Sequence, residues 1–239
     1  MVDAPSFVSV PVLDSWDETA LLRGLRLDLG SIGELHRVPG QVVRLRPRSA
    51  NSEPEKDGYF AIANAPVKGP TELLVKRGSP ISDAVIAHAQ KGAALEATAP
   101  FGRGFPIDQA RGKNLFLFAA GSGITPLRAV IQHVVAARSD FGNVTLFYGQ
   151  RHEDDFAYRN EHRGWQEAGI DLLLCCSQPS AEWHGPRGYV QAAAGAHSSL
   201  SAGAQTAVAF LCGPKAMVTD AREMLSKIGI ENDRTFLNF

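Results

Sequence analysis

The segment Leu115–Val130, which reads LFLFAAGSGITPLRAV, decides the fold of the second half of the chain. Its first six residues are apolar, as expected for a strand that is buried on both faces of a parallel sheet. The turn Gly121–Gly123 follows at once, and Pro126 lies in the first turn of the predicted helix, where proline is favourable. Glycines allow a close approach to a diphosphate, and a helix N-terminus supplies free N–H groups. The spacing alone fits an ordinary strand-to-helix turn equally well.

Apolar runs alternate with helical patterns through the rest of this half. The predicted strands are 115–120, 144–148, 172–176 and 207–211, and the predicted helices are 126–137, 158–168 and 215–228. This alternation predicts a doubly wound parallel sheet that is covered by helices on both faces. A second glycine turn, Leu211–Pro214, follows the last strand, so both turns would lie at the carboxyl edge of the sheet, where ligands bind. Cys212 within this turn equally fits a small apolar filler.

The first hundred residues contain short runs rich in valine, leucine and aromatic residues, separated by turn clusters. The predicted strands are 6–12, 21–29, 41–46, 59–63 and 71–76. Such closely spaced short strands predict a small antiparallel Greek-key β-barrel. One helix, over 82–90 with Ser82 as its N-cap, is predicted to interrupt them. We therefore predict a barrel domain over 1–110 and a dinucleotide-binding α/β domain over 111–239.

The charged residues are nearly balanced, with 24 lysines and arginines, 25 aspartates and glutamates, and a formal net charge of -1. This balance gives no electrostatic reason to expect nucleic acid or an anionic membrane surface as a partner. The three cysteines form no C-x-x-C motif and suit a reducing compartment. The N-terminus lacks a signal-peptide pattern, and the longest apolar run is too short to span a bilayer. We therefore expect a cytoplasmic protein without a membrane span.

Taken together, these motifs resemble those of the ferredoxin–NADP reductase superfamily, over nearly the whole chain. The family's G-x-G-x-x-P motif is met by Gly121, Gly123 and Pro126, and its C-G-P motif by Cys212–Pro214. In the family the first motif holds the diphosphate of the nicotinamide dinucleotide, and the second lies beside the nicotinamide. The resemblance therefore assigns to the dinucleotide Gly121, Ser122, Gly123, Thr125, Pro126, Gly213 and Pro214.

The barrel half carries a matching set of segments. RVPGQVVRLRP at 37–47 and LEATAPFGRGF at 95–105 look like two of the family's barrel segments, and LLVKRGSPISDAV at 73–85 looks like its flavin-diphosphate element. The resemblance implies an FAD cofactor whose phosphates pair with Lys76 and Arg77. For those two residues a solvated strand end is the alternative. Further flavin-binding positions implied by these segments are Gly78, Ser79, Ser82, Pro100 and Gly102.

The family's R-x-Y-S/T flavin motif is altered in this chain. Gly58 replaces the arginine, Phe60 the tyrosine and Ala61 the hydroxyl residue. Phe60 can still stack on the flavin ring, but Gly58 supplies no charge to a phosphate, so we expect a weakened hold on the flavin. A backbone N–H of Ala61 or Ala63 would replace the missing hydroxyl near flavin N5. The flavin-binding positions predicted from this segment are Phe60, Ala61, Ile62 and Ala63.

The C-terminus and the strand ends supply the remaining candidates. Family members often place a terminal aromatic residue against the flavin, so we predict that Cys212 and Phe239 flank the site of hydride transfer, whereas Phe236 belongs to a strand. At the adenosine end of the dinucleotide, Ser177 aligns with the family's phosphate-binding serine. Arg151, Arg187 and Tyr189 are further candidates there, the arginines by their charge and the tyrosine by stacking on adenine. These residues favour NADPH, and NADH remains the alternative.

The predicted function is a hydride transfer from NADPH or NADH to bound FAD, with electrons then passing to a small redox protein or a small-molecule acceptor. Two alternatives remain open. In the first, the flavin is a loosely bound substrate rather than a resident cofactor. In the second, the chain is an electron-transfer subunit or a redox-responsive binding module without turnover of its own. No metal site is predicted, because the polar run His152–Asp155 lacks the H-E-x-x-H spacing and reads as a solvated helix start.

Overall fold

The computed structural model describes residues 6–48, 56–201 and 204–238. In this part of the chain, six strands form an antiparallel sheet and five form a parallel sheet. The predicted combination of an antiparallel barrel and a doubly wound α/β sheet is confirmed. The domain boundary after residue 110 stays a prediction.

The antiparallel sheet has the strand order β4-β3-β6-β1-β2-β5. Its strands are β1 (Val8–Thr19), β2 (Leu22–Leu27), β3 (Val42–Pro47), β4 (Gly58–Ala61), β5 (Thr71–Lys76) and β6 (Ala94–Ala97). The outermost strands β4 and β5 meet through a bridge between Ile62 and Leu73, which closes the sheet into a barrel. Inward side chains such as Val43 and Leu95 are fully buried in its core. The short helix α1 (Gly30–Gly33) follows β2.

The barrel differs from the sequence prediction in several places. β1 continues to Thr19 rather than ending at residue 12, because it stays paired with β2 although its buried positions stop at Val12. β6 was not predicted at all. The helix α2 runs over Pro80–His88, and its N-cap is Ser79, whose Oγ accepts a hydrogen bond from the Ser82 N–H at 3.2 Å. Ser82 therefore lies inside the first turn and is not the cap.

The parallel sheet has the strand order β11-β10-β7-β8-β9. Its strands are β7 (Leu115–Ala120), β8 (Val144–Gln150), β9 (Ile170–Cys176), β10 (Val208–Cys212) and β11 (Thr235–Phe236). The helices are α3 (Ile124–Ala136), α4 (Arg159–Glu167), α5 (Val190–Gly195), α6 (Ser198–Ser201) and α7 (Lys215–Lys227). Leu117 faces the apolar cluster of α3, and Phe118 faces the cluster of α5 and α7, so both faces of the sheet are covered.

Helices α5 and α6 were not predicted. The α5 sequence VQAAAG has too few large apolar residues to show a helical period. It forms because small residues pack closely on the sheet: a side chain on Gly149 would meet Val190 at 2.8 Å. No helix in the described ranges is both long enough and apolar enough to cross a membrane.

The two sheets are joined by polar contacts, most of them made by the buried Arg128. Arg128 on α3 donates to Glu72 on β5 at 2.8 Å, to Glu161 on α4 at 2.7 Å, and to the Ala63 carbonyl at 3.2 Å. Nearby, Gln132 accepts a hydrogen bond from the backbone N–H of Ala65 at 2.9 Å. These contacts fix the segment after β4 against the half of the chain that contains the parallel sheet.

Candidate functional site

A cavity of about 790 Å³ opens at the carboxyl edge of the parallel sheet. Its walls come from the turns after β7, β8, β9 and β10, and from the β1–β2 turn and the end of β5 in the barrel. The cavity therefore lies where a crevice site is expected for an open α/β sheet. The sequence-predicted residues that line it are Lys76, Gly121, Ser122, Arg151, Ser177, Tyr189 and Pro214.

The turn after β7 favours glycine at its first residue and requires glycine at its last. Gly121 has a φ of +60°, in the left-handed region, and a Cβ on Gly123 would lie 2.0 Å from the Cys212 carbonyl oxygen. The Thr125 hydroxyl donates to the Ser122 carbonyl at 2.7 Å and is buried, so this residue supports the turn from behind. The two glycine motifs predicted from the sequence are therefore in direct contact.

The second turn places Cys212 half-buried at the end of β10. Burial raises the pKa of its thiol to about 12, so the sulfur stays protonated and neutral at neutral pH. A side chain on Gly213 would meet Met217 at 2.4 Å, which keeps this turn tight before Pro214 and α7. Cys212 therefore offers a small neutral surface next to the glycine turn.

The predicted adenosine-binding residues divide into two groups. Arg151, Ser177 and Tyr189 line the cavity, and the Tyr189 ring is 70% exposed at its mouth. Arg187 instead donates to the carbonyls of Ser180 and Trp183, both at 3.0 Å, and does not line the cavity. Arg187 is thus held by its own loop.

Several cavity residues have no signal in the sequence. Gln191 and Asp220 form a pair at 2.9 Å, and Gln191 Oε1 is buried without a hydrogen-bond partner in the described ranges. Leu21 and Leu22 reach the cavity from the barrel. They come from a different sheet, so only the tertiary arrangement identifies them. For Gln191 the single local hint is its position two residues after Tyr189, at the start of α5.

The residues predicted to bind the flavin phosphates do not converge on a common site. Lys76 lines the cavity at the edge of the parallel sheet. Arg77 is paired with Asp17 at 2.6 Å, and Arg23 binds the same carboxylate at 2.9 Å. Hydrogen bonds from Arg23 and Arg77 lower the pKa of Asp17. At the start of α2, the Gly78 N–H donates to the Asp83 carboxylate at 3.0 Å.

The predicted flavin-ring residues on β4 are mostly enclosed. Phe60 is 8% exposed within the barrel cluster, Ile62 and Ala63 are buried, and Ala61 is half-buried. The Ala63 N–H donates to the Glu72 carbonyl at 2.7 Å, so it is not available to a flavin. Pro100 is buried, whereas Gly102 is exposed with a φ of +90°.

The chain end approaches the barrel. Asn238 is buried, and its side chain donates to the Gly40 carbonyl at 3.2 Å. Phe239 lies outside the described residues, so its predicted place beside the flavin stays a prediction. Phe236 lies in β11, as predicted.

Comparison with known proteins gives matches over both halves. The oxidoreductase NAD-binding domain family matches residues 117–223. Ferredoxin–NADP reductase B of Sorangium cellulosum is 32% identical over 69% of this chain and 70% of the relative. Fruit protein pKIWI502 of Actinidia deliciosa and sulfhydrogenase 1 subunit gamma of Pyrococcus furiosus are each 28% identical, over 82% and 83% of this chain. The matches cover 64% and 66% of those two relatives, so this chain spans about two thirds of their length.

Solved structures with the same fold include two reductases. A ferredoxin NADP+ reductase from Neisseria gonorrhoeae with bound FAD and NADP aligns with a TM-score of 0.81 at 18% identity, over 99% of this chain and 100% of that one. The ferredoxin reductase in carbazole 1,9a-dioxygenase aligns with a TM-score of 0.78 at 22% identity, over 100% and 70%. At these identities the likeness establishes the fold.

Proposed function

The chain belongs to the ferredoxin–NADP reductase superfamily, whose members are NAD(P)H oxidoreductases with electron-transfer roles, and from this membership we propose that it passes a hydride from NAD(P)H to a flavin. The observation that carries the proposal is the cavity at the carboxyl edge of the parallel sheet, where the two glycine turns meet. Its glycine backbone and the N-terminus of α3 suit a dinucleotide diphosphate.

The proposed roles of the cavity residues, and of Cys212 behind the glycine turn, follow from their chemistry. The backbone of Gly121–Gly123 receives the diphosphate, while Lys76 and Arg151 add positive charge at the cavity wall. Cys212 is neutral and small, so it packs against the nicotinamide without competing for a proton. A hydride step needs no acid or base from the protein, and these residues act by orientation and exclusion of water.

The adenosine end of the site supports NADPH as the preferred donor. Arg151 supplies charge, Ser177 supplies a hydroxyl, and the exposed Tyr189 ring supplies a surface for adenine. Arg187 adds less than the sequence predicts, because its guanidinium is engaged by two backbone carbonyls. NADH is the alternative donor.

The contacts at the start of α2 bear on how tightly the flavin is bound. Members of the family bind FAD, and FAD is the cofactor predicted from the sequence. The residues at the start of α2 do not fit its diphosphate: Arg77 is engaged by Asp17, and the Gly78 N–H by Asp83. These contacts favour an exchangeable flavin, which the chain reduces as a substrate: NAD(P)H, one proton and oxidised flavin give NAD(P)⁺ and reduced flavin.

The test is an anaerobic assay of flavin reduction. The protein, as purified, is mixed with FMN and either NADPH or NADH, and the loss of flavin absorbance is followed against a protein-free mixture. We expect clear acceleration with at least one donor. Equal rates with and without protein, for both donors, would refute the proposed reductase activity.

A subunit role is the second candidate, and one relative supports it. The Pyrococcus furiosus match is named as a subunit of a sulfhydrogenase. In that role the electrons would pass to a small redox protein or to another chain rather than to a free acceptor. A cytoplasmic location is proposed with it, since Cys175, Cys176 and Cys212 are free thiols.

A further inference from the structure

We propose that the protein's own groups fill the path along which the diphosphate of FAD would cross β4 and α2, so that this chain recognises its flavin by the tricyclic ring alone. The proposal rests on the proposed function and names the substrate class: FAD, FMN and riboflavin share that ring and differ in their phosphates and adenosine. Three sets of contacts support it.

The first contact closes the gap between β4 and α2. A Cβ on Gly58 would lie 2.8 Å from Ile81 Cγ2 and 3.1 Å from the Phe60 ring. Any side chain at residue 58, including the arginine of the family motif, therefore requires Ile81 to move. Gly58 has no left-handed φ, so close approach is the reason for glycine here. Phe60 and Ile81 both belong to the barrel cluster and lie next to residue 58, where they would contact any side chain placed there.

The second set of contacts occupies the N-terminus of α2. A diphosphate would be held there by free backbone N–H groups and the positive end of the helix dipole. The Gly78 N–H already donates to the Asp83 carboxylate at 3.0 Å, and the Ser82 N–H to the Ser79 hydroxyl at 3.2 Å. Asp83 also places a negative charge in the first turn, where it repels a second anion.

The third contact engages Arg77, a cation that the family resemblance assigns to the flavin phosphates. Arg77 is the guanidinium nearest to this helix start in the sequence, and its Nη2 lies 2.6 Å from Asp17 Oδ1. The same carboxylate is 2.9 Å from Arg23 Nη1, so the cluster of Arg23, Asp17 and Arg77 is internally paired. The Gly78 and Ser82 N–H groups and the Arg77 guanidinium are thus already engaged within the protein. These contacts therefore leave no reason for FAD to bind more tightly than a flavin without phosphates.

The experiment compares the affinities of wild-type protein for FAD, FMN and riboflavin, measured by quenching of flavin fluorescence. Riboflavin has no phosphate, so its affinity reports binding of the tricyclic ring alone. In the variants described below, it also shows whether the ring site is intact. We expect the three dissociation constants to agree within about threefold, a difference of about 0.6 kcal/mol in binding free energy. FAD that remains bound in stoichiometric amount through purification, or binds more than about tenfold more tightly than riboflavin, would overturn the proposal.

Two variants test its physical basis. Asp83→Asn removes the carboxylate from the start of α2, and the double variant Gly58→Arg/Ile81→Ala restores the arginine with room for it. Each is expected to increase the ratio of FAD affinity to riboflavin affinity, the double variant by about tenfold or more. Asp154→Asn, at a side chain that is 91% exposed, is the matched control and should leave the ratio unchanged. An unchanged ratio in both test variants would contradict the proposal.

These outcomes are separate from the test of the reductase activity. If NAD(P)H reduces none of the three flavins, the proposed function fails. If it reduces FAD far better than riboflavin, the proposed function holds and the filled diphosphate path is wrong.

Discussion

At the residue scale, Gly123 determines how closely the two nucleotide turns can approach. Gly123→Ala would bring a methyl group to 2.0 Å from the Cys212 carbonyl oxygen and 2.5 Å from its carbon. The Cys212 backbone cannot move aside as the flexible end of a side chain can. We therefore expect Gly123→Ala to lower the free energy of unfolding by about 3 kcal/mol. Gly164→Ala, on α4 with nothing within 4 Å, is the control and should gain about 0.5–1 kcal/mol. Urea denaturation of both variants decides; equal stability would contradict the close approach.

His36 gives the fold a dependence on pH. Burial lowers the pKa of His36 from 6.5 to about 4, and its Nε2 has no partner in the described ranges. Between these values the unfolded chain binds more protons than the folded one, so stability falls as the pH falls. The expected loss is about 3 kcal/mol from above pH 6.5 to below pH 4. His36→Gln should flatten this part of the stability profile; an identical profile in the variant would show that other groups cause it.

At the scale of the element, α2 depends on Ser79 for its N-terminus. Ser79→Ala removes the acceptor of the Ser82 N–H and should cost about 1 kcal/mol. Ser82→Ala removes only a hydroxyl that contacts Ser79 Oγ, and we expect a smaller loss. Thermal or urea unfolding of the two variants distinguishes them, and a larger effect of Ser82→Ala would support the cap predicted from the sequence.

Individual strands and helices show which boundaries a sequence pattern can predict and which it cannot. Strands 71–76 and 115–120 have the predicted bounds. Strand 115–120 is a continuous apolar run, strand 71–76 has the apolar centre Leu73–Val75, and both are bounded by turn residues. The second half of β1 carries partner-bound polar residues such as Asp17, so its strand character depends on pairing with β2. The cap of α2 was misplaced because Ser79 and Ser82 are equally good cap residues, and only the hydrogen bond chooses between them.

At the scale of the whole molecule, Arg128 connects the two sheets. Arg128→Ala would leave Glu72, Glu161 and the Ala63 carbonyl without this partner in a mostly buried place. We expect a loss of about 3 kcal/mol in the free energy of unfolding. Arg163→Ala breaks a surface pair with Glu167 at a side chain that is 89% exposed, and should cost less than about 1 kcal/mol. Similar losses in the two variants would mean that the sheets are held together by other contacts.

The candidate site was predictable to the extent that it is local. Gly121, Gly123 and Gly213 are identified by their places after apolar strands, and the structure brings them together. Asp17 is 60 residues from Arg77, and no sequence pattern indicates that its carboxylate pairs with this arginine. Family motifs therefore identify the positions of a cofactor site, while the pairing of its charges depends on the folded chain.

The most direct test of the account is a calorimetric titration of the purified protein with NADPH and NADH. One molecule of at least one donor should bind per chain, Gly164→Ala should keep this binding, and Gly123→Ala should abolish it. Absence of binding for both donors, or unchanged binding in Gly123→Ala, would contradict a dinucleotide site at this turn.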